Sequence, residues 1–205
     1  MNSDLPVVTI DYVYHNCTAV SSNNIQGMED LVKFIYEQGH RRIAYIHGQI
    51  GSAVTKDRLA SFYRTMAELG IEVPDEYIRT ADYLETKEAA RQTKKLLNME
   101  NPPTCIIYPD DTALIGGRNA IMEMGLRIPK DISVAGYDGT RMSQLLHPKL
   151  TTIQQDTERI GEEAAKRLID LIEKPKTTLI ERVVVEGILV PGQSVGKLSE
   201  PKKLS

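Results

Sequence analysis

Two adjacent carboxylates, Asp110 and Asp111, follow the oily run Cys105-Ile106-Ile107-Tyr108 and one proline. Behind them Leu114, Ile121 and Met124 recur at helical spacing, so the acids occupy a strand-to-helix junction. Acids there have two uses. One is to cap the helix, whose first N–H groups are unpaired and favour negative charge. The other is to meet a ligand, because ligands of open α/β sheets bind at the carboxyl ends of the strands. Two such charges about 4 Å apart repel by roughly 4 kcal/mol at an effective dielectric near 20, so a cation or ligand hydroxyls must offset them. Asp138 ends the apolar run 132–137 and is a third acid at a strand end, with no clear helix directly after it. The loop 48–56, after the run ending at Ile46, leads to Arg58, the obvious cation to join these acids.

Acids, an arginine and an aromatic such as Tyr83 suit a polyhydroxylated ligand. Carboxylates accept from neighbouring hydroxyls, the guanidinium fork donates, and a ring covers an apolar face. The plainer alternative makes Arg58 and Asp111 a surface ion pair and a helix cap, an account that fits Asp111 better than Asp138. A Mg²⁺-dependent phosphoryl-transfer site is a weaker match, because its acids are usually spaced i, i+2 with a lysine near the phosphate. Ser/His/Asp catalysis is poorly supported, since none of His15, His40, His47 and His147 adjoins a nucleophile in a recognisable elbow. The histidines read as polar surface or turn residues.

The elements that must position these groups alternate. Strand-like runs fall at 7–10, 43–46, 77–78, 105–108, 132–137 and 182–190. Between most of them, helical faces are formed by Ile25, Met28, Leu31, Val32 and Ile35, then Leu59, Phe62, Met66 and Leu69, then Ala89, Thr93, Leu96 and Leu97. A last long helix carries Ile160, Ala164, Leu168 and Leu171 on one face. Such alternation implies βαβ units and a parallel sheet. Leu69-Gly70-Ile71-Glu72-Val73-Pro74 and Met124-Gly125-Leu126-Arg127-Ile128-Pro129 repeat one helix stop: Gly takes the left-handed cap, the next apolar residue folds back, and Pro prevents resumption. Gly39 ends the first helix in the same way, and the segment from Gly192 reads as a loose tail.

The chain has 205 residues, 41% apolar and 26% charged, with a net charge of −3, which describes an ordinary globular protein with room for a large core. The acidic balance argues against this chain gripping DNA by itself, because phosphate binding needs a concentrated basic face. Cys17 and Cys105 show no metal-ligand spacing. The first twenty residues contain no Lys or Arg, and no apolar stretch approaches membrane-spanning length, so a cytoplasmic setting is expected.

Five motifs in order extend this reading: Gly39-His40-Arg41-Arg42-Ile43-Ala44-Tyr45-Ile46, Arg58 with Phe62, Asp110-Asp111-Thr112-Ala113-Leu114-Ile115-Gly116, Ile128-Pro129-Lys130-Asp131-Ile132-Ser133-Val134-Ala135-Gly136-Tyr137-Asp138, and Leu150-Thr151-Thr152-Ile153-Gln154-Gln155-Asp156. Together they resemble the lactose/galactose repressor (LacI/GalR) family. The resemblance implies an α/β fold like that of type I periplasmic sugar-binding proteins: Rossmann-like parallel sheets flanked by helices, one lobe nearly complete and the other truncated. It implies a remnant of the amino-terminal lobe at 1–23, the carboxy-terminal lobe at 24–153, a returning segment at 154–186, a closing segment at 187–195 and a flexible tail at 196–205. Effector contacts carry over to Arg58, Asp110, Asp138, Tyr83, Asp11 and Gln155, while Asp111 falls where the family's acid begins the helix. Relatives often carry Asn where Asp110 stands, and an amide can donate whereas a carboxylate only accepts.

The function implied is that of a ligand-sensing domain of a sugar-responsive repressor, not an enzyme, with no cofactor or metal. It would pair as a homodimer through the carboxy-terminal lobe and touch DNA only through a helix-turn-helix head outside this chain, without contact to a membrane. A Mg²⁺-dependent phosphoryl-transfer domain and a solute-binding protein of a sugar transporter are the alternatives.

Overall fold

The computed structural model describes residues 5–14, 17–175 and 177–198. The chain begins with β1 (Val8–Ile10) and β2 (Thr18–Ser22), then runs α1 (Asn24–Glu37), β3 (Ile43–His47), α2 (Ala53–Glu68), β4 (Ile78–Thr80), α3 (Thr86–Leu97), β5 (Cys105–Ile107), α4 (Asp111–Glu123), β6 (Ser133–Asp138), α5 (Arg141–Leu145), β7 (Thr151–Gln154), α6 (Thr157–Glu173), β8 (Arg182–Val185) and β9 (Ile188–Val190). The strands form two sheets. The larger has the order β4-β3-β5-β6-β7-β9, and the smaller β1-β2-β8. All pairings are parallel except the antiparallel β7–β9 edge. No helix among the described residues is long and apolar enough to cross a membrane.

The oily strands of the larger sheet follow from its two covered faces. Successive residues of a strand point to opposite sides, so a strand buried on both sides must be apolar throughout. Ile43 and Tyr45 pack with Met28, Leu31 and Ile35 of α1 and Phe62 and Met66 of α2. Their neighbours Ala44 and Ile46 pack with Ala89 and Leu96 of α3 and Leu114 and Ile121 of α4. The smaller sheet is covered by α6, whose Ile160 and Ala164 meet Val20 and Val185.

The glycine stops behave as their sequence requires. Gly39, Gly70 and Gly125 all have positive φ, and the residues after Gly70 and Gly125 return N–H bonds to Met66 and Ile121. The close contact of α3 with α4 has a separate cause. A Cβ at Gly116 would stand 2.0 Å from the Thr86 carbonyl oxygen, so only glycine lets the start of α3 approach.

Several expectations are corrected. The run 182–190 divides at Glu186-Gly187 into two strands that join different sheets. The segment after Gly192 is not loose as far as residue 198: Ser194 is fully buried and bonds Val134 and Thr151, and Leu198 N–H donates to Gln38 O. Its small polar residues are held by hydrogen bonds to the larger sheet, which composition does not register, and Val195 is buried in the core beside α1. The part of the proposed tail at 199–205 lies outside the described residues. His40 and His47 are buried rather than on the surface; the His40 ring joins Thr104 and Gly196, tying the carboxy-terminal segment to the larger sheet. His147 lies in the turn before β7, and His15 lies outside the described residues.

Asp111 also has a structural task, and it is not the cap. Its side chain is buried at the first position of α4 and accepts from Thr152 Oγ1 at 2.8 Å and from Thr140 N and Oγ1 at 2.7 and 3.1 Å, drawing the starts of α4 and α5 onto β7. Burial pushes this carboxyl from 3.8 up to about 6, against the Thr152 and Thr140 hydrogen bonds and with a further push from Asp138. A carboxyl that holds its proton more tightly folded than unfolded contributes stability that is full below 3.8 and is lost as pH rises to about 6. A gap of about two pH units corresponds to roughly 3 kcal/mol. Urea unfolding of the wild type and of Asp111→Asn should therefore show the wild type losing stability relative to the variant as pH rises through this window. A difference that does not change with pH would contradict the assignment.

Candidate functional site

The polypeptide passes between the two sheets three times, after β2, after β7 and after β8. The crossings are tied together where Asn23 N–H donates to Val185 O at 2.8 Å and Asn23 Nδ2 donates to Glu186 Oε1 at 2.8 Å. Asp11 after β1, Asn24 after β2, Pro109 after β5 and Asp138 at the end of β6 all lie at the carboxyl ends of their strands, and Arg58 links them.

Arg58 is on the buried face of α2, with Thr55, Ser61 and Phe62. Its Nε donates to Asn24 Oδ1 at 2.7 Å, its Nη1 donates to Pro109 O at 2.9 Å, and its Cζ stands 3.4 Å from the centre of the Tyr137 ring. The start of α1, the junction after β5 and the end of β6 thus hold one guanidinium, with a cation–π contact on its face. A surface ion pair with Asp111 does not form: Arg58 is only 3% exposed, and Asp111 is bonded to the two threonines.

The acids come from both sheets. Asp138 closes β6 with φ of 99°, and its Oδ1 accepts from Gln155 Nε2 at 2.6 Å. Burial holds its carboxyl above the ordinary value; Arg58 and the Gln155 hydrogen bond pull it down, and Asp110 and Asp11 push it up. Asp11 follows β1 of the smaller sheet. Burial raises its carboxyl too, opposed by Arg58 and by the Ser22 backbone, while its Oδ1 is buried without a hydrogen-bond partner. The field of one arginine is therefore felt by an acid from each sheet.

Asp110 is the cap of α4. Its Oδ1 accepts from Ala113 N at 2.7 Å, and its Oδ2 accepts from Leu84 N at 2.8 Å. The helix role expected of Asp111 thus falls to its neighbour. No cation is needed between the two acids, because backbone N–H groups and hydroxyls satisfy both. Tyr83 lies in the loop between β4 and α3; its hydroxyl shares a 2.8 Å hydrogen bond with Thr55 Oγ1, and its ring lies where a Cβ on Gly48 would come within 2.4 Å.

Sequence reasoning marked the loop 48–56 but not the separate parts of Gly48 and Thr55 within it, and it missed Asn24. Asn24 reads as part of a helix start, and only the fold reveals that its amide oxygen receives Arg58. A further signal is invisible in sequence: the described non-glycine residues with positive φ are Asp11, Leu84 and Asp138, and all belong to this site. Such backbone is strained by roughly 1–3 kcal/mol per residue and tends to persist where function requires it.

The arrangement presents acceptors around a fixed cation, a setting for hydrogen bonding to hydroxyl or amine groups. At its edge the His47 ring is held from both sides, with Nδ1 bonded to Gly48 O at 2.7 Å and Thr80 Oγ1 3.3 Å from Nε2. Among the described residues no three His, Cys, Asp or Glu side chains gather as a metal-ligand group.

Comparison with known proteins adds to this geometry. Residues 32–195 match the family described as a periplasmic binding protein-like domain. The HTH-type transcriptional repressor PurR of Aliivibrio salmonicida is 32% identical over 173 residues, covering 83% of this chain and 52% of the relative. The repressor of the same name from Klebsiella pneumoniae subsp. pneumoniae is 35% identical over 171 residues, covering 82% and 50%. The crystal structure of a LacI transcriptional regulator from Rhodococcus species superimposes with a TM-score of 0.84 at 28% identity, covering 94% of this chain and 70% of that one. The chain spans about half the length of the curated relatives it matches. Two mainly parallel sheets joined by three crossings, a cluster of polar residues at the carboxyl ends of their strands, and a family match over most of the chain lead to one conclusion: this chain belongs to the periplasmic binding protein-like domain family, in the form found in LacI-family regulators.

Proposed function

We propose that the chain is the effector-sensing region of a sugar-responsive transcriptional repressor, binding a small polyhydroxylated molecule between its two sheets. The observation that carries this reading is Arg58, buried and fixed by Asn24, Pro109 and Tyr137, with Asp138 of one sheet and Asp11 of the other in its field. The guanidinium donates to ligand oxygens, and Asp138 and Asp11 accept from ligand hydroxyls. Gln155 orients Asp138, and the Tyr83 ring covers the apolar face of the bound molecule. Asp110 stands beside them with both oxygens holding backbone N–H groups, and each oxygen keeps a lone pair for a ligand hydroxyl.

In the whole protein the effector controls a DNA-binding head. A ligand spanning both sheets favours one arrangement of them only through its unequal affinity for the two, and that difference sets how paired heads meet an operator. Homodimerisation belongs to the same reading. Met122 on α4 and Met142 and Leu145 on α5 are exposed apolar side chains on the larger unit, the kind of surface that a partner covers.

A melting screen against sugars, nucleosides and phosphosugars tests the central part, since a ligand at a hundred times its dissociation constant adds about 2.7 kcal/mol of stability. For a ligand so found, Asp138→Asn should weaken binding by roughly 1.5–3 kcal/mol, about tenfold or more by calorimetric titration. An unchanged affinity would remove Asp138 from the site. Sedimentation should show a dimer that Leu145→Glu converts to monomer without loss of helical content; a wild-type monomer would remove the homodimer.

A further inference from the structure

The loop 81–85, which carries Tyr83, is closed at its far end, where Glu85 N–H donates to Asp82 O at 3.1 Å and the Glu85 carboxylate caps α3 by accepting from Lys87 N at 3.0 Å. Ala81 is anchored, with its N–H donating to His47 O at 2.9 Å and its side chain buried. Leu84 is not: its side chain is 66% exposed and its φ is 64°, a conformation that leucine adopts only at a cost. What receives the Leu84 N–H is the Asp110 carboxylate, at 2.8 Å. That carboxylate is only 1% exposed, and its other oxygen is fixed by Ala113 N at the start of α4, so its position is set by the helix and not by the loop. Downstream, Thr86 docks against Gly116 of the same helix. Between these anchors Tyr83 reaches over Gly48 to Thr55, one turn of α2 before Arg58.

We propose that Asp110 is a positioning residue: by bridging the first turn of α4 to the Leu84 N–H it fixes Tyr83 at the mouth of the site, so that the shape offered to an effector depends on an acid that need not touch it. Two accepting oxygens are required. An amide has one acceptor oxygen and would turn an NH₂ group toward the second N–H, so Asp and Asn are not equivalent here. The step from a fixed Tyr83 to effector selection rests on the sensor reading; the bridge itself does not.

Amide hydrogen exchange followed by NMR on the chain without added ligand tests the bridge. Leu84 N–H should be protected despite its exposed side chain. In Asp110→Asn and Asp110→Ser its exchange should rise by about tenfold or more. Ala113 should keep its protection, because Asn and Ser both cap helices well. The Tyr83 ring resonances should move in the same variants while those of Tyr108 stay. Leu84 exchange that is unprotected in the wild type, or unchanged in both variants, overturns the proposal. So does loss of protection at Leu84 and Ala113 together, which would mean that Asp110 acts only through the helix. A ligand screen that finds no effector would count against the sensor reading and leave this exchange result untouched.

Discussion

A guanidinium is buried where the two sheets meet, and the surrounding structure is arranged to make that tolerable. Taking a charge out of water costs several kcal/mol unless hydrogen bonds and opposite charge replace its hydration. For Arg58 the replacement comes from the Asn24 amide oxygen, the Pro109 carbonyl and the face of Tyr137, with Asp138 and Asp11 supplying the opposite charge. These groups come from four separate places in the chain, after β1, at the start of α1, after β5 and at the end of β6, and each is brought there by the fold. The consequence runs both ways. Burial alone would drive the two acids toward protonation, and Arg58 is what pulls them back toward the charged form in which they accept hydrogen bonds.

Much of this was legible in the sequence, for physical reasons. Strands covered on both faces must be oily throughout, which marked Ile43–His47, Cys105–Ile107 and Ser133–Asp138. Helix stops at Gly70 and Gly125 needed a positive φ that only glycine takes easily. Strand-end acids and Arg58 then follow from topology. Thr18–Ser22 and Thr151–Gln154 escaped because their buried threonines and serines look polar, although their backbones are committed to ladders. Arg141–Leu145 escaped because five residues show no period. The exchange of roles between Asp110 and Asp111 was also hidden. Which acid caps depends on where the extended backbone ends, and Asp110, at φ −156° and ψ 168°, is still extended.

The crossings give the proposed sensing role a physical basis. Asp11 belongs to the smaller sheet and Asp138 to the larger, while Gln155 lies in a crossing and holds Asp138. A molecule bonded to both acids would act on the angle between the sheets, and the crossings are where that angle is set. Strain at Asp11, Leu84 and Asp138 fits a site whose groups are held in place before a ligand arrives.

The central claim is that one buried arginine and acids from both sheets form a single electrostatic unit. NMR titration of the Asp138 and Asp11 side-chain carboxyl carbons, in the wild type and in Arg58→Gln, tests it directly. Both carboxyls should titrate above the ordinary value of 3.8 in the wild type and higher still in the variant, because burial persists while the opposing charge is gone. Carboxyls that titrate at the ordinary value, or that ignore the loss of Arg58, would contradict the account.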